Sequence, residues 1–202
     1  MKPTARERLL AAANELFYAE GVQSVGVDRV IERAGVAKAT LYNIFGGKEG
    51  LVRAYLQAQH ASTADRITTA VAQFDDPIGR LLAIFDSQGI LFAQPEFHGC
   101  AFVSATAETR RGSLVEQAAD DYRAWVRSLF TALAYQVGAQ EPEVLAAQLH
   151  LLYDGAALCA RMDYDASAAF TARDAAALLL NCAAGESRHA EIGAAVTKRV
   201  DI

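Results

Sequence analysis

An all-α fold is predicted for this chain, on three observations. Alanine, leucine, glutamate and arginine, which favour helix, are abundant among its 202 residues. Apolar residues recur three and four positions apart along most of the chain, and no segment shows the two-residue period of a strand. An apolar share of 52% with few Gly and Pro residues indicates a globular chain with a real core. We expect nine or ten helices, divided between a three-helix head (residues 1–47) and a helical body (48–202).

The first helix is predicted over residues 4–20. Thr4 is the expected N-cap, Glu7 completes a capping box with it, and Gly21 ends the helix. The apolar residues recur at i, i+4, i+7 and i+8 and predict one buried stripe: Leu9, Ala13, Leu16 and Phe17.

Two short helices joined by a glycine turn are predicted over residues 27–34 and 38–45. The apolar face of the first consists of Val27, Val30, Ile31 and Ala34. Gly35 breaks the helix, and Leu41, Ile44 and Phe45 form the expected inner face of the second helix. Small and polar residues remain on its outer face. This pattern is typical of a helix-turn-helix, whose second helix enters the major groove of DNA.

The same stretch carries a family resemblance. Residues 34–52, AGVAKATLYNIFGGKEGLV, resemble the signature of the tetracycline-repressor (TetR) family of bacterial regulators. The matching points, in the family's order, are Ala34-Gly35-Val36, Thr40-Leu41-Tyr42, Phe45 and Lys48-Glu49-Gly50-Leu51. The resemblance covers residues 6–55, about a quarter of the chain. It implies a homodimeric DNA-binding regulator that responds to a small effector.

The resemblance also implies which residues face DNA: Lys38, Ala39, Thr40, Tyr42, Asn43 and Lys48. Both lysines are cations suited to phosphate, and Asn43 has the paired donor and acceptor that read adenine. The alternatives are that Tyr42 belongs to the core and that Asn43 is only solvated. Ile44 departs from the family, which usually has His or Tyr there to reach the DNA backbone. Either Ile44 packs inward or one DNA contact is missing.

Breaks at 75–77, 94–99 and 110–113 divide the body. Asp76 before Pro77 and Ser113 before Glu116 are the expected helix-starting residues. The helices are predicted over 48–73, 78–92, 100–107, 114–137, 142–162 and 167–182. The tail, residues 185–202, is compatible with a frayed helix or with disorder.

The resemblance implies that the body encloses an unidentified small effector, and an apolar pocket with few polar anchors is typical of such sites. The candidates are the polar and aromatic residues that stand out in the body: Phe85, Phe92, Phe97, His98, Cys100, Phe102, Thr106, His150, Tyr153 and Asp154. Alternatively, His150 and Asp154, at i and i+4, pair at the surface or at a dimer seam. Residues 97–100 are equally compatible with an ordinary corner between helices.

Dimerisation is expected through the last two long helices. Their apolar stripes are Val144-Leu145-Gln148-Leu149-Leu152-Ala156 and Ala169-Ala172-Ala176-Leu179-Leu180. Across a two-fold axis these stripes would form a four-helix bundle. The alternative is that they belong to the core of one protomer.

The distribution of charge and the motifs restrict the classes of function that the sequence allows. The net charge is −5, but residues 1–50 hold 7 Lys and Arg against 6 Asp and Glu, so the acidity lies in the body. The sequence lacks GxSxG, P-loop, HExxH and GxGxxG motifs, so we expect no enzyme, cofactor or metal site. The three cysteines are expected to be buried thiols, and no membrane span or signal peptide is apparent, which predicts a cytoplasmic protein. A ligand-responsive repressor is the leading hypothesis. The alternative is a DNA-binding protein that has an architectural role or responds to a protein partner.

Overall fold

The computed structural model describes residues 2–107 and 109–197, with side chains described as far as Ala183. All the regular structure in these residues is helical, which confirms the predicted all-α class. The helices are α1 (Ala5–Glu20), α2 (Val27–Ala34), α3 (Lys38–Phe45), α4 (Lys48–Val71), α5 (Pro77–Phe92), α6 (Ala101–Thr106), α7 (Leu114–Val137), α8 (Pro142–Asp163) and α9 (Ala168–Thr197).

Side-chain caps start three of these helices where the sequence predicts them. At α1, the Glu7 N–H donates to Thr4 Oγ1 at 3.2 Å, and the Thr4 N–H donates to Glu7 Oε2 at 2.7 Å. Asp76 accepts from the Gly79 N–H at 2.6 Å. The hydroxyl of Ser113 accepts from the Glu116 N–H at 3.1 Å. Each cap satisfies a backbone donor that has no partner inside its helix.

Several predicted boundaries shift, most of them by one or two residues. Helix α4 ends at Val71 rather than at residue 73, and α6 begins after Cys100, which is its N-cap. Helix α9 does not stop at residue 182 but continues to Thr197. A glycine inside a helix costs only about 1 kcal/mol relative to alanine, so Gly185 does not end α9. Residues 198–202 of the tail lie outside the described residues.

The chain divides into two compact units. The first contains the chain up to Asp65 together with His98–Arg123. Its core includes the predicted stripe of α1, where Leu9 and Phe17 are buried, and the edge of the Phe17 ring packs on Tyr55 of α4 with centroids 5.7 Å apart. Burial raises the pKa of Tyr55 well above its ordinary value, so its phenol is neutral in the folded protein.

A contact distant in sequence ties α1 to the start of α6 within this unit. The Tyr18 hydroxyl donates to the Gly99 carbonyl at 3.2 Å and accepts from the His98 N–H at 3.3 Å. The Tyr18 and His98 rings also meet edge to face, 5.6 Å apart. The N-terminus of α7 is held in the same unit, because the Leu114 N–H donates to Glu49 of α4 at 2.9 Å. The head helices therefore share their unit with parts of α4, α6 and α7.

The second unit contains Arg66–Phe97 and the chain from Ala124 onward, and in it α5, α8 and α9 pack on one another. The predicted dimer stripes are largely buried inside this unit. Their buried members are Leu145, Leu149, Ala156, Ala169, Ala172, Ala176 and Leu180. These residues form the core of the single chain, so their assignment to a dimer face is wrong.

The prediction of buried cysteines is also wrong. Cys159 of α8 and Cys182 of α9 are exposed, and Cys100 is half-buried. Consecutive residues of an α-helix are about 100° apart around its axis, so Cys159 lies to one side of the buried Ala160, at the edge of the buried face of α8. Among the described residues, no helix combines the length and the apolar character needed to cross a bilayer.

Candidate nucleic-acid interface

The turn between α2 and α3 is held by glycine geometry and by an arginine from α1. Gly35 has φ +62°, a left-handed conformation that favours glycine, and its N–H donates to the Glu32 carbonyl at 3.1 Å. Arg8 Nη1 donates to the carbonyls of Ala34 and Gly35 at 3.2 and 3.1 Å. Carbonyls at the C-terminal end of a helix lack partners inside it, so this cation satisfies them and fixes the angle of the turn.

Helix α3 is anchored on its inner side by Leu41, which is fully buried. Phe45 is half-buried, and the Arg6 guanidinium of α1 lies 5.8 Å from the centroid of its ring. The Gly46 N–H then ends the helix by donating to the Tyr42 carbonyl at 2.9 Å, with φ +75° at Gly46. These contacts fix the rotation of α3 and thereby decide which of its side chains point outward.

The outer face of α3 contains the predicted DNA-facing residues. Lys38, Ala39 and Asn43 are exposed, and Thr40 is half-buried. Tyr42 is 47% exposed, so it is not part of the core. Lys48, the first residue of α4, is half-buried and lies 3.5 Å from the Gln23 carbonyl. The face offers hydroxyl, amide, phenol and ammonium groups beside a small residue.

Ile44 does not pack inward with Leu41, contrary to the prediction. Its side chain is 37% exposed, next to Tyr42 on the chain. On this eight-residue helix, Leu41 and Phe45 are sufficient to cover the inner side. Ile44 therefore lies at the edge of the outer face of α3, where it offers apolar surface and no hydrogen-bonding group.

Acidic residues pair with several cations of the head. Lys38 Nζ lies 2.8 Å from Asp28 Oδ1, and this pairing raises the pKa of Lys38 above its ordinary value. Arg33 pairs with Glu15 at 2.8 Å, and Arg29 pairs with Glu20. The positive charge of the head is therefore largely compensated within the head itself.

Three of the predicted effector residues gather in the second unit around a residue that the sequence analysis did not select. Phe130 of α7 is fully buried, and its ring centroid lies 6.1 Å from that of Phe85, 6.5 Å from that of His150 and 5.9 Å from that of Tyr153. We call these four residues the aromatic cluster. Its members come from α5, α7 and α8, so it lies where three helices meet.

Polar groups border the aromatic cluster. The Gln88 side chain is 2% exposed; its Nε2 donates to the Tyr153 carbonyl at 3.0 Å, whereas its Oε1 has no hydrogen-bond partner. His150 Nε2 lies 3.5 Å from Asp154 Oδ2. The predicted pairing of these two residues is thus present; His150 is buried, whereas the Asp154 side chain is 33% exposed, so only the carboxylate end of the pair reaches the surface.

Apart from Asp154, the other predicted effector residues have ring or hydrogen-bond contacts of their own. Phe92 and Phe97 form a pair of their own in the second unit, with ring centroids 4.7 Å apart. His98, Cys100, Phe102 and Thr106 belong to the first unit. There the Thr106 hydroxyl donates to the Phe102 carbonyl at 2.7 Å, and Phe102 stacks on Tyr122 at 3.8 Å. The ten predicted residues are thus divided between the two units.

Four residues of the candidate sites escaped the sequence analysis: Arg8, Asp28, Gln88 and Phe130. The contacts of Arg8 and Phe130 join distant parts of the chain, and helical periodicity carries no signal for such contacts. The sequence did show Asp28 as a carboxylate in the first turn of α2. A carboxylate there stabilises the helix dipole, and this explanation hid its pairing with Lys38. Gln88 lies on a helix whose apolar spacing predicts burial, so a polar residue on that face was the available clue.

Comparison with known proteins agrees with this geometry. Residues 9–55 match the model of the family described as "Bacterial regulatory proteins, tetR family". The crystal structure of SCO4454, a TetR-family transcriptional regulator from Streptomyces coelicolor, superposes with a TM-score of 0.83. The two are 33% identical, and the match covers 89% of this chain and 96% of that one. The transcriptional regulator LmrA of Bacillus subtilis is 28% identical over 141 residues, covering 68% of this chain and 74% of LmrA.

Other relatives match over a smaller part of the chain. An HTH-type transcriptional regulator of Mycobacterium tuberculosis is 33% identical over 78 residues, and the chain spans only 39% of its length. The similarity to the Streptomyces protein, by contrast, extends over nearly all of both chains. Because it has the helix-turn-helix geometry and is 33% identical to the Streptomyces regulator over nearly all of both chains, the chain belongs to the TetR family and is a DNA-binding transcriptional regulator.

Proposed function

We propose that this protein is a ligand-responsive repressor that binds a near-palindromic operator as a homodimer in the bacterial cytoplasm. The outer face of α3 carries the proposal, because a rigidly anchored short helix presents Lys38, Ala39, Thr40, Tyr42 and Asn43 together. A helix of this kind fits the major groove, where base edges differ in their donors and acceptors. No enzymatic step is part of the proposal.

The roles on this face follow from the chemistry of each side chain. Asn43 pairs its amide with adenine, which contributes about 1–3 kcal/mol of discrimination. Tyr42 and Thr40 donate hydroxyl hydrogens to phosphates, and Lys48 places a cation beside the backbone. Ile44 supplies apolar contact to sugar or to a thymine methyl group in place of a hydrogen bond.

Exposed apolar side chains on α8 and α9 support the homodimer. On α8 these are Val144, Leu151, Leu158 and Met162, and on α9 they are Phe170 and Leu178. The α8 residues recur at i, i+7, i+14 and i+18, which places them along one side of the helix, opposite its buried residues. Large exposed apolar surface indicates an interaction site. A second copy of the same helices covers it in a two-fold arrangement.

A charge placed in this surface should separate the protomers. Leu151 is 75% exposed in the single chain, and the two-fold axis would bury the substitution Leu151→Glu twice. We expect the dimer dissociation constant to rise by at least about 100-fold, since each buried carboxylate costs about 2 kcal/mol or more. Sedimentation equilibrium measures this directly. The matched control is Val103→Glu on α6, also exposed. If both variants stay dimeric, the dimer face is elsewhere.

The aromatic cluster with Gln88 is the proposed effector site. A buried acceptor without a partner costs about 1–3 kcal/mol, and a ligand that donates a hydrogen bond would satisfy Oε1. The neighbouring Ser87 hydroxyl accepts from Arg66 of α4 at 2.6 Å, and α4 continues into the first unit. Effector binding beside Ser87 is thereby linked to the helix that begins at Lys48. A coupling free energy of about 1–3 kcal/mol is enough for release from DNA.

Binding to the DNA upstream of its own gene tests the function. We expect fluorescence anisotropy to show saturation at two protomers per operator, or a multiple of two, with affinity falling as salt rises. An excess of random duplex should not compete. If random duplex competes equally, the protein has an architectural role and the repressor proposal is wrong.

The complex of the protein with its operator also serves to screen apolar compounds that bear a hydrogen-bond donor. A hit should release DNA from the wild type and lose potency against Gln88→Leu.

A further inference from the structure

The ion pair between Asp28 and Lys38 lies at the DNA-facing side of the head. Lys38 is the first residue of α3, and Asp28 lies in the first turn of α2. Their charged atoms are 2.8 Å apart, while the side chains remain 59% (Lys38) and 77% (Asp28) exposed. The pair therefore spans the two helices in the open, where a DNA phosphate would also approach Lys38.

The pair changes what Lys38 can contribute to DNA binding. Its ammonium stays charged, because pairing with Asp28 raises its pKa. That charge is already neutralised, however, by a carboxylate that resembles phosphate in charge and hydrogen bonding. A phosphate must displace Asp28 before it can use Lys38, and the carboxylate left behind then repels the DNA backbone.

We propose that Asp28 is a positioning residue for Lys38 and an internal competitor of DNA phosphate. It holds the first cation of α3 away from the backbone and so weakens the electrostatic attraction to duplex of any sequence. A larger share of the binding free energy then comes from the base contacts of α3. This inference rests on the proposed contact between α3 and DNA.

The salt dependence of binding to a random duplex distinguishes this role from a purely structural one. Each phosphate neutralised by the protein adds about −0.9 to the slope of log K against log salt. For Asp28→Asn we expect a slope steeper by up to about 0.9 per head. The affinity of a two-headed protein for random duplex should rise roughly 2- to 30-fold at 0.1 M salt, the range over which an exposed ion pair competes.

Matched variants separate the effect of the Asp28–Lys38 ion pair on affinity from the effect of net charge. Glu20→Gln removes the same charge from another exposed pair of the head, Glu20–Arg29, and should change affinity less. Asp28→Glu keeps the carboxylate and should behave like the wild type. In a Lys38→Met background, Asp28→Asn should bring only the small gain that comes from removing one negative charge, comparable to that of Glu20→Gln. Circular dichroism melts show whether each variant folds.

Three outcomes would overturn the inference, and they are distinguishable. If the wild type binds duplex but Asp28→Asn and Glu20→Gln coincide in affinity and slope, Asp28 acts only through net charge. If Asp28→Asn weakens binding, it positions Lys38 towards DNA rather than away from it. Absence of any duplex binding by the wild type at low salt would overturn the proposed function as well.

Discussion

Alanine at Tyr42 and Lys48 together should lower operator affinity by at least about 100-fold. Tyr42 is 47% exposed on α3, and Lys48 begins α4 beside it. Each contact to a base or phosphate contributes about 1–3 kcal/mol, and a two-headed protein loses both contacts twice. The fold should survive, because neither side chain belongs to the core. Anisotropy with the operator gives the affinity, and sedimentation shows whether the dimer persists.

The control for this pair removes the same chemistry from the body. Tyr135 and Arg127 are exposed on α7, so their double alanine variant loses one phenol and one cation away from the head. We expect its operator affinity to stay within about threefold of the wild type, as only long-range charge has changed. Retained operator affinity in the Tyr42 and Lys48 variant would exclude α3 as the DNA-reading helix.

Phe130→Ala should destabilise the protein by about 3–5 kcal/mol. The ring is fully buried and contacts three other rings from two further helices, so its loss leaves a cavity that the helices close only in part. Urea unfolding of the dimer at fixed protein concentration measures the change in the free energy of unfolding. At temperatures below its melting point the variant should still bind the operator, because the head is unchanged.

An exposed phenylalanine provides the comparison for Phe130. Phe74 follows α4 and is 41% exposed, so Phe74→Ala should cost about 1 kcal/mol or less. If Phe130→Ala lowered the free energy of unfolding as little as Phe74→Ala does, the aromatic cluster would already contain free space. That result would favour a preformed effector cavity over a packed core.

Local sequence was sufficient to predict the head. The stripe from Leu9 to Phe17 and the glycine at position 35 specify helices and their ends through rules that act over four residues. The caps at Thr4, Asp76 and Ser113 follow the same local chemistry. The exposed residues of α3 followed from its short length and from Leu41 as its inner anchor.

The sites in the body were harder to predict, because α8 is apolar on two sides. Leu149 and Leu151 lie two positions apart on α8, yet Leu149 is fully buried and Leu151 is 75% exposed. Periodicity identifies both stripes but does not show which one faces the rest of the protomer. On α3, periodicity grouped Ile44 with the buried Leu41, although the Ile44 side chain is 37% exposed. Phe130 and Gln88 gain their roles from neighbours on other helices, and a single sequence does not reveal such contacts.

The contacts of α1 with later parts of the chain bear on how regulators of this kind are recombined. Phe17 packs on Tyr55, and Tyr18 hydrogen-bonds to His98 and Gly99. A chimera joined at residue 47 would transplant the DNA-reading helices but separate Phe17 from Tyr55. The apolar surface of α1 would then pack on an α4 of different sequence. Moving the junction beyond Tyr55, and grafting the 98–99 segment with it, transfers operator preference together with the surfaces that keep the head folded.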